Sequence, residues 1–572
     1  MTDLQPEKIL SLDKKRAEQE FNKLSLTSQA MLTLMAPWDK RQALMILSEK
    51  FPELVRSLPV EELFWTIKAT GPEDTLPLIS AATFAQLQFI FDLDWWEKDE
   101  FRLDRITAWT VILFEAGEET VNRWINTLAQ KDPWLIPALM RHFIEVQKRP
   151  DDMEIQEAKD LLHPFTIDNI YYIAFKKEKL QPLWERMIMK LIELSPGLYR
   201  DTMETILTET RTECVEMAWR LRCGRLADFG IPDYFSALDI YAPVPPDKVR
   251  LPASIQHAAV TGKDDEMPAF VPTLYISDFP ALTTALEQLA DTPHIGRIIR
   301  EWTGVANKII MADRIDLDDP DVLKKALNKT ASLINLGLQT VESHRTSASA
   351  AKLLADSVLE DLVRVAVWRL SGIRTRARRL AISAGMEVIP SEYYDALLSL
   401  SGHFPELWDP ETQDTVHFST LEQVHRAERI LDEIEAWHCI MEQITPRWNR
   451  WKGVIAWENT NFLTWAEFTW QHGLATAAAN FILDKRAVVA PVRESRLEEL
   501  RDRVSSGAWD ETAIRMAQEL RKTTHLSPDL AETIIHKAGD PMKEELVSCA
   551  QDKRPDGRFF SSFLVEIEPA VD

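Results

Sequence analysis

Glycine is scarce in this chain, at 17 of 572 residues. It is the usual residue of tight hairpin turns, bulges and phosphate-binding loops, because it adopts positive φ without steric cost. The scarcity argues against a β-rich fold and against a nucleotide-cradling loop. No nucleophile elbow, phosphate loop or dinucleotide fingerprint is present either. Helices need little glycine, so the composition favours an all-α fold.

Cysteine and long apolar runs are also lacking. The four cysteines are too few and too scattered for a disulfide framework: Cys214, Cys223, Cys439 and Cys549. No window reaches the roughly 18 apolar residues of a membrane span, and the best candidate, 475–492, is interrupted by Asp484, Lys485 and Arg486. The first eight residues have no basic region followed by an apolar one, so we expect no signal peptide. These absences predict a cytoplasmic protein without membrane insertion.

Acidic residues, by contrast, are abundant. The chain has 90 Asp and Glu against 66 Lys and Arg, a formal net charge of −24. A field of this sign repels nucleic acid at long range, so we expect no nucleic-acid partner. Hydrophobic residues make up 45%, with 19 Trp and 23 Phe, which is the apolar content of a globular protein.

Helix start signals recur along the chain. Asp or Ser followed by Pro combines an N-cap acceptor with a residue preset for the first helical turn. Five such pairs begin at Asp132, Ser195, Asp319, Asp409 and Ser527. The apolar periodicity predicts short helices near 40–50, 60–69, 72–81, 83–92, 103–115, 118–130 and 133–148. Helices of this length must stack on neighbours to bury a face, so we expect a solenoid or superhelix-like N-terminal region.

Proline and helix punctuation predict the division of the chain into regions. We expect an N-terminal helix or tail at 1–25, a superhelix-like region at 26–240, a Pro-rich irregular connection at 241–280, a central helical region at 281–389 and a Trp-rich C-terminal helical region at 390–572. Residues 26–146 are expected to form an independent stack. Gly539 is expected to end the last helix, and 559–567 to form a short strand or a docked tail.

Two resemblances follow from particular segments. The segments 54–63 (LVRSLPVEEL), 71–74 (GPED) and 84–94 (FAQLQFIFDLD) resemble the N-terminal superhelical domain of MgtE-type magnesium transporters, which implies a stack of short helices over residues 26–146. The longer pattern, including 222–241 and 334–338, resembles a bacterial family of uncharacterised helical proteins catalogued as a domain of unknown function. That family implies no activity.

Two Glu-x-x-His motifs are the most enzyme-like feature. Di-metal bundles use such motifs on different helices that face one core. Here Glu422/His425 and Glu435/His438 fall in one predicted helix, 421–444. Thirteen residues separate the motifs by about 140° around the axis and about 20 Å along it. We therefore predict no shared metal site, and helix-surface or salt-bridge roles for these residues.

Acidic side chains crowd one predicted link between helices. They are Asp92, Asp94, Glu97, Asp99, Glu100 and Asp104. Hard oxygen ligands suit Mg²⁺ or Ca²⁺, and the resemblance to magnesium transporters makes that interpretation relevant. Basic residues lie among them, however, so our preferred interpretation is a solvated charged corner that holds no metal. Cys214 and Cys223, nine positions apart, fall on opposite helix faces and are expected to be buried apolar residues rather than ligands.

Two further stretches of the sequence are rich in arginine and in aromatic residues, respectively. Six arginines project around one predicted helix, and we expect pairing with acids of neighbouring helices rather than an anionic ligand: Arg364, Arg369, Arg374, Arg376, Arg378 and Arg379. Aromatic residues concentrate farther along, and we expect mostly core packing rather than a partner-binding groove: Trp437, Trp448, Trp451, Trp457, Phe462, Trp465 and Trp470.

The sequence thus predicts a non-enzymatic helical scaffold or adaptor that binds an unidentified protein partner. No catalytic, cofactor-binding or metal-binding residues are expected, and no cofactor. One alternative is a cytoplasmic divalent-cation (Mg²⁺) sensing or regulatory protein. Another is an enzyme whose site is assembled from distant helices. A broad apolar groove would favour the adaptor, and a large pocket with converging ionisable groups would favour the enzyme.

Overall fold

A computed structural model describes residues 5–250, 279–317, 319–344, 349–383, 386–445, 453–462, 464–524, 528–549 and 555–567. Within these ranges the chain is helical with a few short strands, so the all-α prediction is confirmed. The described residues form two compact units. Unit 1 comprises Met1–Ala242, Arg250–Ala331 and Leu354–Glu360, and unit 2 comprises Pro243–Val249, Ser332–Leu353 and Asp361–Asp572.

The helices of the first half are short. They are α1 (Pro6–Leu10), α2 (Lys14–Asn22), α3 (Leu26–Met35), α4 (Trp38–Met45), α5 (Phe51–Ser57), α6 (Val60–Thr70), α7 (Leu76–Ala81), α8 (Phe84–Asp94), α9 (Leu103–Glu115), α10 (Glu118–Lys131), α11 (Leu135–Met140), α12 (Ile155–Leu161), α13 (Gln181–Leu194), α14 (Pro196–Thr208), α15 (Arg211–Ala227) and α16 (Tyr234–Ala237).

Longer helices follow. They are α17 (Pro280–Leu289), α18 (His294–Asp313), α19 (Pro320–His344), α20 (Ala350–Ala355), α21 (Leu359–Ala381), α22 (Ser391–Ser401), α23 (Leu421–Ile444), α24 (Trp470–Asp484), α25 (Leu497–Arg503), α26 (Trp509–Thr524) and α27 (Pro528–Ser548).

Within the described ranges, four two-stranded sheets interrupt the helices. Three are antiparallel: β1 (Trp96–Glu97) with β2 (Glu100–Phe101), β3 (Ile144–Lys148) with β4 (Tyr171–Phe175), and β5 (Glu406–Asp409) with β6 (Asp414–His417). The fourth pairs β7 (Val492–Arg493) with β8 (Val565–Glu566) in parallel. The last pairing confirms the predicted docked strand near the C-terminus, where Phe560, Phe563 and Leu564 are buried.

Two rows of helices organise the start of unit 1. In one row α3 contacts α5, α5 contacts α7, and α7 contacts α9. In the other row α4 contacts α6, α6 contacts α8, and α8 contacts α10. Each short helix therefore buries its apolar face against the next member of its row and against the other row. The large side chains of Phe64, Phe91, Trp95 and Trp124, from the second row and the residue after α8, are fully buried.

The core of unit 1 extends beyond the predicted stack. One continuous cluster of buried apolar residues begins at Ile9 and includes Trp184, Met203 and Leu226 before it reaches Ile310 and Leu327. The predicted boundaries at 25/26 and 240/241 are therefore crossed by a single core. The predicted central region, 281–389, is divided between the two units, because residues up to Ala331 pack with unit 1.

In unit 2, four helices contact one another in every combination: α23, α24, α26 and α27. Trp437, Trp470 and Trp509 are fully buried there. Gly539 lies inside α27 and does not end it. A Cβ added at this position would stand 1.9 Å from the Trp509 ring. Close contact between helix and ring, rather than helix termination, explains this glycine.

Two other local predictions are wrong, and in both cases a helix was predicted where the structure has a β-strand or the turn after one. The predicted helix 133–148 ends at Met140, since Ile144–Lys148 pairs with Tyr171–Phe175 as β3 and β4. Asp409-Pro410 does not start a helix. The Asp409 carboxylate instead accepts the Glu411 N–H in the turn between β5 and β6. Ser195 does cap α14, with its hydroxyl accepting the Leu198 N–H.

Candidate functional site

The first hairpin stands between α8 and α9 in unit 1. Trp96 pairs with Phe101 and Glu97 with Glu100, and the turn between them is Lys98-Asp99. Lys98 has φ 58°, a left-handed conformation that this turn imposes on a residue other than glycine. Trp96 is buried and its ring centroid lies 4.1 Å from that of Phe101. Trp96 thus anchors the hairpin in the core, and the charged turn residues Lys98 and Asp99 are exposed.

An open aromatic cleft of about 730 Å³ adjoins this hairpin. We call it the cleft, and it is lined by Asp99, Glu100, Phe101, Leu103, His142, Arg211, Thr212, Val215, Glu216, Trp219 and Phe235. The α15 residues recur at intervals of three or four, which places them on one helical face. Phe235, on α16, is 52% exposed, and Trp219 is half-buried. An exposed aromatic lining of this kind is typical of a binding surface rather than of a core.

His142 is a half-buried polar residue of the cleft. Its ring meets the Phe101 ring edge-on, with centroids 5.5 Å apart. Burial, and next the positive charges of Arg211 and Lys176, lower the pKa of His142 to about 4. The imidazole is therefore neutral near pH 7. Its Nε2 is buried and has no hydrogen-bond partner among the described residues.

The rim of the cleft is mainly acidic. The Asp99 and Glu100 side chains are exposed, and no ion pair engages either within the described ranges. Glu216 accepts from Arg220 at 2.5 Å, one turn along α15. Arg211 is the basic residue of the lining. The rim thus offers two carboxylates that form no ion pair within 4.0 Å with a cation of the described residues.

The two other carboxylates of the predicted acidic corner are internal. Asp92 accepts from Arg225 Nε at 2.6 Å and from Nη2 at 2.8 Å, and Arg225 Nη1 donates to Asp132 at 2.8 Å. Asp94 accepts from Lys68 Nζ and from Trp109 Nε1, each at 2.6 Å. The prediction of one solvated corner is therefore wrong for Asp92 and Asp94, because residues distant in sequence pair with them.

The remaining acids of that stretch are exposed, and all four line one open pocket together with Lys98 and Arg102. Glu97 pairs with Arg314 at 2.9 Å, and Asp104 lies in the first turn of α9. Asp99 and Glu100 face the cleft. Across the described ranges, no group of three or more His, Cys, Asp or Glu side chains is arranged to hold a metal ion. The structure does not bring the six acids together.

The Glu-x-x-His motifs lie on one helix, α23, as the spacing predicts. Arg376 Nη2 donates to Glu435 at 2.7 Å, and Arg379 Nη2 donates to the same carboxylate at 2.9 Å. These hydrogen bonds, with that from Arg376 the stronger, lower the pKa of Glu435. His438 lies 3.8 Å from Glu442. The second motif therefore has the salt-bridge role that the sequence predicts.

The arginine concentration is also paired within unit 2. Arg369 donates to Glu428 at 2.8 Å and Arg376 to Asp432 at 2.5 Å. Arg374 and Arg378 donate to backbone carbonyls near the end of α22. Acids of α23 thus accept from Arg369, Arg376 and Arg379, as predicted. Arg374 and Arg378 instead have backbone acceptors, and Arg364 lies 3.9 Å from Asp361 of its own helix.

The tryptophan-rich segment divides into core and surface. Trp437 and Trp470 are buried and Phe462 is 7% exposed, whereas Trp465 is 38% exposed. Trp448 and Trp451 lie outside the described residues, as do residues 251–278 of the predicted Pro-rich connection. All four cysteines are free thiols, with Cys214 buried as expected and the other three partly exposed.

Sequence reasoning missed the cleft. Its lining comes from four separated parts of the chain, and no local motif links Phe101 to His142, Trp219 or Phe235. One signal for the cleft was present in the sequence. Val215 and Trp219 are apolar residues four positions apart on α15, on a face that also carries charged residues. The hairpin also had a signal. Trp-Glu-Lys-Asp-Glu-Phe places apolar and charged residues symmetrically about a two-residue turn, but without the glycine that normally marks it.

Fold and site together define an all-α protein with stacked short helices and an aromatic cleft beside a hairpin. In the described residues no helix is long and apolar enough to cross a membrane. The chain belongs to DUF6178, a family of unknown function, whose model matches residues 18–566. The predicted relationship with an uncharacterised family is confirmed. No curated protein and no solved structure matches the chain, and the resemblance to MgtE stays a prediction.

Proposed function

We propose that this protein is a non-enzymatic helical scaffold, and that the cleft docks a basic segment of a protein partner. The observation that carries the proposal is the combination of exposed aromatic rings with an acidic rim. A neutral His142 with an unsatisfied Nε2 adds a buried hydrogen-bonding group at the same place.

The chemistry of the cleft favours a lysine or arginine side chain. A cation over an aromatic face is attracted by the ring quadrupole, and the attraction grows as water is excluded. Asp99 and Glu100 then supply charge-assisted hydrogen bonds to the same cation. The net charge of −24 steers a basic partner toward the protein at long range.

The helical rows supply the scaffold. We propose that α3–α10 form a superhelical stack, which the MgtE resemblance also implies and whose surface suits extended partners. We further propose a cytoplasmic location, supported by the four free thiols. The cation-sensing and enzyme alternatives have weaker support. Asp92 and Asp94 are engaged by Arg225 and Lys68 and are not available to a cation, and no catalytic motif accompanies the cleft histidine.

Selection of peptides from a random displayed library tests the proposal. Selected peptides should be enriched in lysine and arginine, and their affinity should fall as salt rises. Phe235→Ala, and separately Asp99→Asn with Glu100→Gln, should each weaken binding about tenfold or more. Tyr394→Ala is the control, because Tyr394 is an aromatic of similar exposure, 51%, on α22.

Two outcomes would contradict the proposal. One is selection of peptides without basic enrichment. The other is equal binding by the wild type and the cleft variants, since the peptides would then contact another surface.

A further inference from the structure

A second pocket, of about 240 Å³, also borders the first hairpin in unit 1. We call it the basic pocket. The residues that matter here are Lys98, Arg102, Arg222 and Arg314, which all line it. The hairpin contributes Trp96, Glu97 and Lys98 to this pocket and Asp99, Glu100 and Phe101 to the cleft.

Positive charge exceeds negative charge at this pocket. Its acidic lining residues are Asp94, Glu97 and Asp316. Asp94 is neutralised by Lys68, which lies outside the lining, and Glu97 pairs with the lining residue Arg314. Among the lining residues, Lys98, Arg102 and Arg222 then remain with Asp316, while Asp99, Glu100 and Asp104 lie outside this lining, beside Lys98 and Arg102. The Arg102 guanidinium has no hydrogen-bond or ion-pair partner among the described residues.

Arg222 is a buried residue of this pocket, and other groups of the protein hold its side chain in place. It is 2% exposed and its guanidinium lies over the Trp96 ring, 5.5 Å from the centroid. Its Nε donates to the Asp92 carbonyl at 2.6 Å and its Nη1 to the Lys98 carbonyl at 3.4 Å. Both acceptors are neutral. Within the described ranges no carboxylate oxygen lies within 4.0 Å of this side chain.

A buried guanidinium without a paired anion is costly. Desolvation lowers the pKa of Arg222, although Asp92 and Asp233 act at longer range in the opposite direction. Two carbonyls and an indole hold the group in one orientation, so its fork is preorganised for an anion. A planar fork with further cations around it is the arrangement that recognises tetrahedral oxyanions.

We propose that the basic pocket binds a phosphate group, either as inorganic phosphate or as the head of a small phosphomonoester. Arg222 forms the floor of the site, while Arg102 and Lys98 close over the exposed oxygens. A volume of about 240 Å³ accommodates a phosphate with a small substituent. Nucleic acid is disfavoured by the acidic surface, so the proposed ligand is a small molecule.

Isothermal titration of the full chain tests the site, with inorganic phosphate, glycerol phosphate and acetate as separate titrants. We expect saturable binding of a phosphate titrant and a higher thermal unfolding midpoint in its presence. Arg102→Gln and Lys98→Gln should each weaken binding about tenfold. Lys40→Gln is the matched control, because Lys40 is exposed on α4 and pairs with its neighbour Asp39.

The titrants distinguish the two sources of the phosphate group. Tighter binding of glycerol phosphate than of inorganic phosphate identifies a phosphomonoester site, and the reverse order identifies a free-phosphate site. The proposal is overturned if neither phosphate titrant binds at tens of millimolar. It is also overturned if acetate binds as well as phosphate, or if Arg102→Gln and Lys98→Gln bind like the wild type.

Discussion

Arg225 joins two buried carboxylates across unit 1. The Asp92 and Asp132 side chains are 2% and 0% exposed, and Gln88 adds a hydrogen bond of 2.8 Å to Asp92. Trp124 Nε1 in turn donates to Gln88 at 3.3 Å. Every polar group in this chain of contacts has a partner, so α8, α10 and α15 are held in one relative arrangement.

Removing the arginine should therefore destabilise unit 1 strongly. Arg225→Leu leaves two buried carboxylates close together without a cation, and breaking a buried pair in this way typically costs about 3–5 kcal/mol. Urea unfolding followed by circular dichroism measures the loss. Arg220→Leu, on the same helix but in an exposed pair with Glu216, is the control and should cost less than about 1 kcal/mol.

The loss caused by Arg225→Leu should also depend on pH. Burial already raises the pKa of Asp132, and loss of the guanidinium raises it further above the unfolded value of about 3.9. A carboxyl group of this kind holds its proton more tightly in the folded state, so its stabilising contribution is lost as pH rises. The variant should be closer to the wild type at about pH 5 than at about pH 7.5. A loss that is equal at both would show that the carboxylates are not the cause.

At the level of elements, capping and periodicity predicted most helices of unit 1 but not its strands. Thr83 caps α8 and Thr210 caps α15, each with a reciprocal capping box. These signals are local and can be read from sequence. The turn between β1 and β2 lacks glycine, like that between β5 and β6 in unit 2, so the usual hairpin signal is absent. β3 and β4 are joined by a long connection that contains α12 and has no hairpin turn. Lys98 and Gln413 adopt positive φ in place of glycine.

Glycine inside helices has a different use, as α19 shows. A Cβ on Gly337 would stand 1.9 Å from the Leu362 carbonyl oxygen of α21. The neighbour is backbone and cannot rotate away, so the two helices approach closely only because this residue has no side chain. Gly337 lies in the segment 334–338, which carries part of the resemblance to the uncharacterised family.

Gly337→Ala should accordingly destabilise unit 2 by about 1–3 kcal/mol or more, since α19 and α21 must separate. The matched control is Gly372→Ala in α21, where nothing lies within 4 Å of the added Cβ. That change should be neutral or stabilise by up to about 1 kcal/mol, as is usual for Ala over Gly in a helix. Thermal unfolding of both variants checks the pair. Equal midpoints would contradict the close approach of the helices.

At the scale of the whole molecule, the features that the sequence did not predict depend on contacts between distant segments. The cleft takes residues from the hairpin, from the loop after α11, from α15 and from α16. Residues 26–146 leave Asp92 and Asp132 without Arg225, which is 133 positions from Asp92. Local patterns predict helices, but they carry no information about which helix supplies the opposite charge.

A fragment comparison tests this dependence. Residues 26–146 expressed alone should give helical far-ultraviolet circular dichroism but broad, weakly cooperative thermal unfolding, because their core and ion pairs are incomplete. A fragment of residues 5–331, which contains the continuous core from Ile9 to Leu327, should unfold cooperatively. Cooperative unfolding of the shorter fragment would instead support the independent stack that the sequence predicts.

The first hairpin is a wall shared by two pockets. Lys98 lines the basic pocket and Asp99 lines the cleft, and they are consecutive residues of one tight turn. A change in the conformation of this turn therefore affects both pockets. A ligand that shifts this turn from the basic pocket therefore changes the affinity of the cleft. Thermodynamic linkage makes the effect reciprocal, with the same factor in both directions. Under the two proposals above, a hairpin of six residues would couple the binding of a small phosphate ligand to the binding of a basic protein segment.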